Sequence, residues 1–264
     1  MEILGYIAAA LIGISLGLIG GGGSILTIPV LVYIFHIDPT LATSYSLFIV
    51  GVTSLAGAYS NYRKGYASIS LALPLGIVSP FTVFITRRFL LPLVPQELFN
   101  IGDFVVTRSL LTMVLFAILM LAASISMLTS KGLKERAPGE KSEGAFGILI
   151  LYGIGIGLVT GFLGAGGGFL IIPALVIFLR LSMKEAVGTS LFIIAVNSLI
   201  GFLGDLGHYT LNWQFLLLIT AIAMAGIITG GMLSKTIPGH KLKKGFGWFV
   251  LVMGCYIILK ELFL

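Results

Sequence analysis

Along this chain apolar positions do not alternate with polar ones; they run on. The stretches 3–35, 41–62, 68–89, 104–128, 145–179, 186–206, 211–233 and 246–263 are rich in apolar residues and poor in charge. Each is long enough, or nearly so, to cross a hydrocarbon core of about 30 Å as a helix rising 1.5 Å per residue. Barrel strands would alternate apolar and polar residues over about ten positions, so the pattern predicts helices. Two stretches are anomalous. Residues 3–35 and 145–179 would each form a helix of roughly 50 Å if continuous, and both are interrupted by glycine clusters at 20–23 and 164–168. Each glycine costs a helix interior about 1 kcal/mol relative to alanine. Each anomalous stretch is therefore predicted to be two half-helices folded into a hairpin.

The anomaly occurs twice because the chain is duplicated. At an offset of 144, Gly13, Gly17, Gly20, Gly22, Gly23 and Pro29 fall on Gly157, Gly161, Gly164, Gly166, Gly167 and Pro173. Without a gap, Ala42, Ser46, Leu47, Phe48, Ser54 and Gly57 then fall on Ala186, Ser190, Leu191, Phe192, Ser198 and Gly201. There are roughly twenty identities over about forty-six positions, more than apolar bias explains. The division is a first membrane repeat (1–128), a polar linker (129–143) and a second membrane repeat (144–264).

Basic residues test the hairpins, because cytoplasmic loops attract lysine and arginine. If the anomalous stretches cross once, the two faces receive about 7 and 9 basic residues, which orients nothing. If each enters and leaves on one side, Arg63, Lys64, the linker, Arg180, Lys184 and the 235–244 loop share a face, and the split is about 12 to 4. Three crossings per half then make the repeats inverted. The fold expected is all-α integral membrane: two inverted repeats, each a glycine-broken hairpin plus three transmembrane helices. The expected setting is the cell inner membrane, with the linker cytoplasmic and both termini outside.

Composition agrees. Of 264 residues, 58% are hydrophobic and 10% charged, against about 25% charged in soluble domains. The net charge of +6 sits at the ends of apolar runs, a topological signature and not a nucleic-acid one. The start Met1-Glu2-Ile3 lacks the basic region of a secretory signal, so no cleavage is expected. The single Cys255 supports neither a disulfide framework nor a thiol metal site, and no cofactor is expected.

A broken membrane helix exposes backbone polar groups, tolerated only inside protein or beside water. The second half-helices, starting near Ser24 and Gly168, present free N–H donors and partial positive charge, which favours an anion. Close packing of small residues is the alternative use of such glycines. Candidate anion contacts are Gly21, Gly22, Gly23, Ser24, Gly166, Gly167 and Gly168. The hydroxyls of Ser44, Ser46, Thr189 and Ser190, with Asn197, could complete the hydrogen bonds or simply join helices. Arg108, Asp205 and His208 are candidates for coupling or gating, intramembrane ionisable groups being rare; Arg108 could instead snorkel. No nucleotide loop, metal motif or nucleophile elbow is present, so an enzyme is not expected.

The doubled glycine break followed by a proline, together with Ala186-Val187-Gly188-Thr189-Ser190-Leu191, resembles the sulfite exporter TauE/SafE family, also called domain of unknown function 81. Ser44-Tyr45-Ser46 stands where the first copy would carry Gly-Thr-Ser. The resemblance implies transport, often export, of sulfur-containing anions such as sulfite or organosulfonates by a secondary mechanism. A passive anion channel and a non-transporting assembly partner are the alternatives. Expected partners are a small anion and the lipid bilayer, with no nucleic acid; a homo-oligomer is left open.

Overall fold

A computed structural model describes residues 2–101, 104–129, 145–234 and 239–263; residues 130–143 of the predicted linker lie outside them. The first half runs α1 (Glu2–Ile19), a tight 3-10 turn (Gly21–Gly23), α2 (Ser24–Tyr33), α3 (Pro39–Arg63), α4 (Ile69–Ile85), a π-helical turn (Thr86–Leu90), the single turn α5 (Leu91–Leu93), strands β1 (Glu97–Ile101) and β2 (Phe104–Thr107), and α6 (Arg108–Thr129). The second runs α7 (Ala145–Leu163), α8 (Gly168–Phe178), α9 (Met183–Asp205), α10 (Trp213–Leu233) and α11 (Gly239–Phe263). The protein is an all-α membrane protein. Among the described residues five helical spans, Pro39–Arg63, Leu73–Leu93, Arg108–Ser126, Lys184–Asp205 and Trp213–Leu233, are long and apolar enough to cross a bilayer.

The first anomalous stretch folds back on itself. A Cβ placed on Gly5 would enter the ring of Phe35, and one placed on Gly23 would meet Leu16 and Ser15. Tyr6 and Phe35 also stack, 6.3 Å between centroids. α1 and α2 are therefore antiparallel about the glycine turn. In the second half the chain reverses at Gly164, Gly166 and Gly167, all at positive φ, a region open to glycine at little cost.

Helix contacts follow the sequence repeat. α1 packs on α10 as α7 packs on α4, while α3 pairs with its counterpart α9 and α6 with its counterpart α11. Gly13 sits on the backbone of Ala223 and Gly226; 144 positions away, Gly157 sits on Ser79 and Thr82. The α3–α9 pair is antiparallel, since Gly51 meets Leu199, Gly57 meets Leu191 and Gly201 meets Leu47. α6 and α11 are antiparallel too: Gly254 packs on Leu121, and the Ser124 hydroxyl donates to Gly247 O at 2.7 Å. Ser, Gly and Ala at these crossings let backbones approach where lipid offers no hydrophobic drive.

Three elements differ from the sequence expectation. The last helix begins at Gly239, inside the stretch read as the 235–244 loop. Residues 104–128 do not form one helix: Phe104–Thr107 pairs antiparallel with Glu97–Ile101, and the helix starts at Arg108. Nor does 68–89 end as a plain α-helix, because the backbone widens into the π turn and carries the span on to Leu93. The β-branched Val105, Val106 and Thr107 suit a strand, and their apolar character hid the change of period.

Candidate functional site

The π turn places Arg87 inside the protein, 1% exposed. Its Nη1 donates to Asp205 Oδ2 at the end of α9 and to Thr43 Oγ1 in the first turns of α3, both at 3.0 Å. Its Nε and Nη2 are buried and have no hydrogen-bond partner among the described residues. They are not remote from the glycine break: a Cβ on Gly164 would stand 2.6 Å from Nη2 and would collide with Thr43. Gly164 also sits at φ +70°, so both conformation and space require glycine there. A π turn at this point fits the tendency of such turns to occur at functional sites.

Beyond Gly164 the break is lined by unsatisfied donors. The position a Cβ would take on Gly166 is 2.8 Å from Ser198 Oγ, and Gly167 abuts Thr160 Oγ1. Neither hydroxyl has a partner among the described residues. Ser79 Oγ donates to Asn197 Oδ1 at 2.8 Å, which leaves Asn197 Nδ2, a pure donor, buried and unpartnered. Ser44, Ser46 and Ser54 hydroxyls are likewise buried and unpartnered. Buried polar groups normally find partners. The free guanidinium nitrogens at Gly164 and the Ser198 and Thr160 hydroxyls at Gly166 and Gly167 are donors of the kind an anion draws on.

Two of the glycine candidates meet each other across the two halves. Gly21 and Gly168 lie backbone against backbone, each with no room for a Cβ, so the two breaks touch each other directly. Ser24 Oγ donates locally to Gly21 O at 2.7 Å, and Ser190 Oγ to Val187 O at 2.9 Å. Thr189 Oγ1 accepts from Ser68 N at 2.9 Å; exactly 144 positions away, Tyr45 Oη accepts from Asn212 N at 2.7 Å. Phenol and threonine do the same work, holding the amide that opens α4 or α10.

Arg108, Asp205 and His208 separate. Arg108 opens α6 and donates from Nη1 to the carbonyls of Leu91 and Val94, both at 3.2 Å, so it ties the strand pair to α5. His208 is exposed in the loop after α9. Asp205 alone is buried, 3% exposed, on Arg87. In the same loop, burial and then the Asp205 charge raise the Tyr209 hydroxyl above its usual range, with Arg87 and Arg108 opposing.

Arg87 escaped sequence reasoning because it reads as a flanking charge at the end of 68–89. The signal was present in Phe89-Leu90-Leu91-Pro92-Leu93, which continues the apolar run for more than a turn beyond it. The offset of 144 carries Arg87 to Gly231 and Asp205 to Asn61, so the ion pair exists on one side of the repeat only.

The family model of the sulfite exporter TauE/SafE matches residues 5–257. This chain belongs to the TauE/SafE family. A probable membrane transporter protein of Xylella fastidiosa (strain Temecula1) is 30% identical over 95% of this chain and 92% of its own length. The probable membrane transporter protein YdhB of Bacillus subtilis is 29% identical over 88% and 90%. A probable membrane transporter protein of Haemophilus influenzae is 25% identical over 98% of each chain. No solved structure matches. Family and relatives together make this TauE/SafE protein a multi-pass membrane transporter.

Proposed function

We propose that the protein is a secondary transporter of a small sulfur-containing anion, sulfite or an organosulfonate, and that the anion binds at Arg87 beside the Gly164 break. The observation that carries this is the buried guanidinium with Nε and Nη2 unpartnered, two N–H-bearing atoms in the fork geometry that suits an oxyanion. Asn197 Nδ2 and the hydroxyls of Ser198, Ser44 and Ser46 supply further donors in this reading, and the small break leaves the backbone close to the ligand.

Alternating access is supported by the exchange of contacts between halves. Counterpart helices α3 and α9 cross antiparallel, as an axis lying in the membrane plane would require, and inverted repeats that rock against each other are the common transporter design. In this reading the linker and the 63–68 and 180–184 loops face the cytoplasm, and Arg87 lies toward the outer face of the inner membrane.

The test is uptake of radiolabelled sulfite into proteoliposomes containing the purified protein. Saturable flux, with counterflow exchange against trapped unlabelled sulfite, is expected. Flux that rises linearly with concentration and shows no counterflow would instead indicate a channel. No flux of sulfite or any organosulfonate would contradict the proposal.

A further inference from the structure

We propose that Asp205 is the proton carrier of this transporter: an anion arriving at Arg87 displaces the Asp205 carboxylate, which takes a proton from water, so that anion and proton cross together. The inference rests on the anion reading of Arg87 given above.

The pair is built to separate. Asp205 holds Arg87 through one nitrogen, Nη1, which Thr43 Oγ1 shares; it is not the two-pronged grip that makes arginine–carboxylate pairs strong. No other hydrogen bond reaches the Asp205 carboxylate among the described residues. The equivalent positions Gly231 and Asn61 carry no charge, and Asn61 Nδ2 donates to Gly57 O at 2.9 Å.

Charge then decides the sequence of events. Arginine with aspartate is neutral. Adding a monoanion leaves a net negative charge where water is excluded, and a buried unpaired carboxylate protonates rather than remain charged. One proton restores neutrality: the anion sits on the guanidinium, and the acid stays uncharged beside it. The charged and titratable groups placed near Asp205 are its ion-pair partner Arg87; Arg108, Asp38 and Tyr209, of which the first two act with Asp205 and Arg87 on the Tyr209 hydroxyl; Arg88, which reaches the next residue, Leu206; and His208 in the following loop. Arg88 Nη1 is held by Leu206 O at 3.4 Å and Tyr45 Oη by Asn212 N, leaving Asp205 as the buried carboxylate on the guanidinium. For a monoanion the cycle is electroneutral, and net outward movement needs an anion gradient larger than the opposing proton gradient.

The experiment uses full-length purified protein and methanesulfonate, a probe that stays ionised across the usable pH range. In weak buffer the wild type should take up about one proton per anion bound, and its apparent Kd should weaken up to about tenfold per pH unit on the alkaline side. A protonated-carboxyl C=O band should appear in the infrared difference spectrum. Asp205→Asn should bind without proton uptake, with a Kd independent of pH. Binding by the wild type without proton uptake, or an unchanged pH dependence in Asp205→Asn, overturns the coupling while leaving the anion site standing. If wild type binds none of methanesulfonate, sulfite and sulfate, the anion reading fails and the coupling with it. Should Asp205→Asn not fold, proton uptake and the infrared band of the wild type decide alone.

Discussion

Arg87 is buried with three of its five N–H donors unpartnered among the described residues, a state costly to maintain for stability alone. Removing one partner of a buried ion pair typically costs about 3–5 kcal/mol because the other charge is left stranded, whereas replacing both with apolar side chains is often neutral. Arg87→Ala should therefore lower the unfolding midpoint sharply, and Arg87→Met combined with Asp205→Leu should recover most of the loss without recovering anion binding. Thermal unfolding in one detergent decides; a double variant as unstable as Arg87→Ala would mean that the pair is needed by the scaffold. Gly164→Ala should act on the same centre, since its methyl would strike Thr43 and the guanidinium. Thr43 heads the hydroxyl run that opens α3, and its bond to Arg87 depends on a π turn 44 positions away.

Among the elements, the glycine-broken hairpins were legible because they follow from run length and glycine placement, which are properties of the sequence itself. The strand pair 97–107 and the π turn were not, because both depend on where the chain must go after leaving the membrane core. The pair Tyr45 and Thr189 shows a subtler limit. The residues differ, so alignment discourages a shared role, yet the fold requires only an oxygen that can accept the amide of residue 212 or 68. A hydrogen bond of this kind contributes about 1 kcal/mol. Thr189→Val and Tyr45→Phe should each destabilise by about that much and leave anion affinity within a factor of two or so. Loss of anion binding in Thr189→Val at normal stability would return Thr189 to the ligand.

Over the whole molecule, the repeat is kept in the packing and broken in the charge. Helix pairs exchange under the offset of 144, but arginine and aspartate meet in one place, and the positions 144 away from them carry glycine and asparagine. On the alternating-access proposal, a repeated frame that carries this ion pair on one side gives distinct inner and outer states. The orientation it implies is open to test by impermeant maleimide labelling of single cysteines on a Cys255→Ser background. Cysteines at Lys64 and Lys184 should label only after the membrane is permeabilised, and cysteines at Glu97 and His208 in intact cells. The reverse pattern would invert the assignment, and Lys64 and Lys184 labelling from opposite sides would break the inverted-repeat topology.

Whether Arg87 receives an anion is decided by the anion-dependent thermal stability of the purified protein. A ligand at 100 times its Kd stabilises by about 2.7 kcal/mol. Wild type should rise in Tm with sulfite or an organosulfonate and not with chloride, and Arg87→Gln, matched for folding by its unliganded profile, should show no rise. An equal rise in Arg87→Gln would place the anion elsewhere and contradict the account.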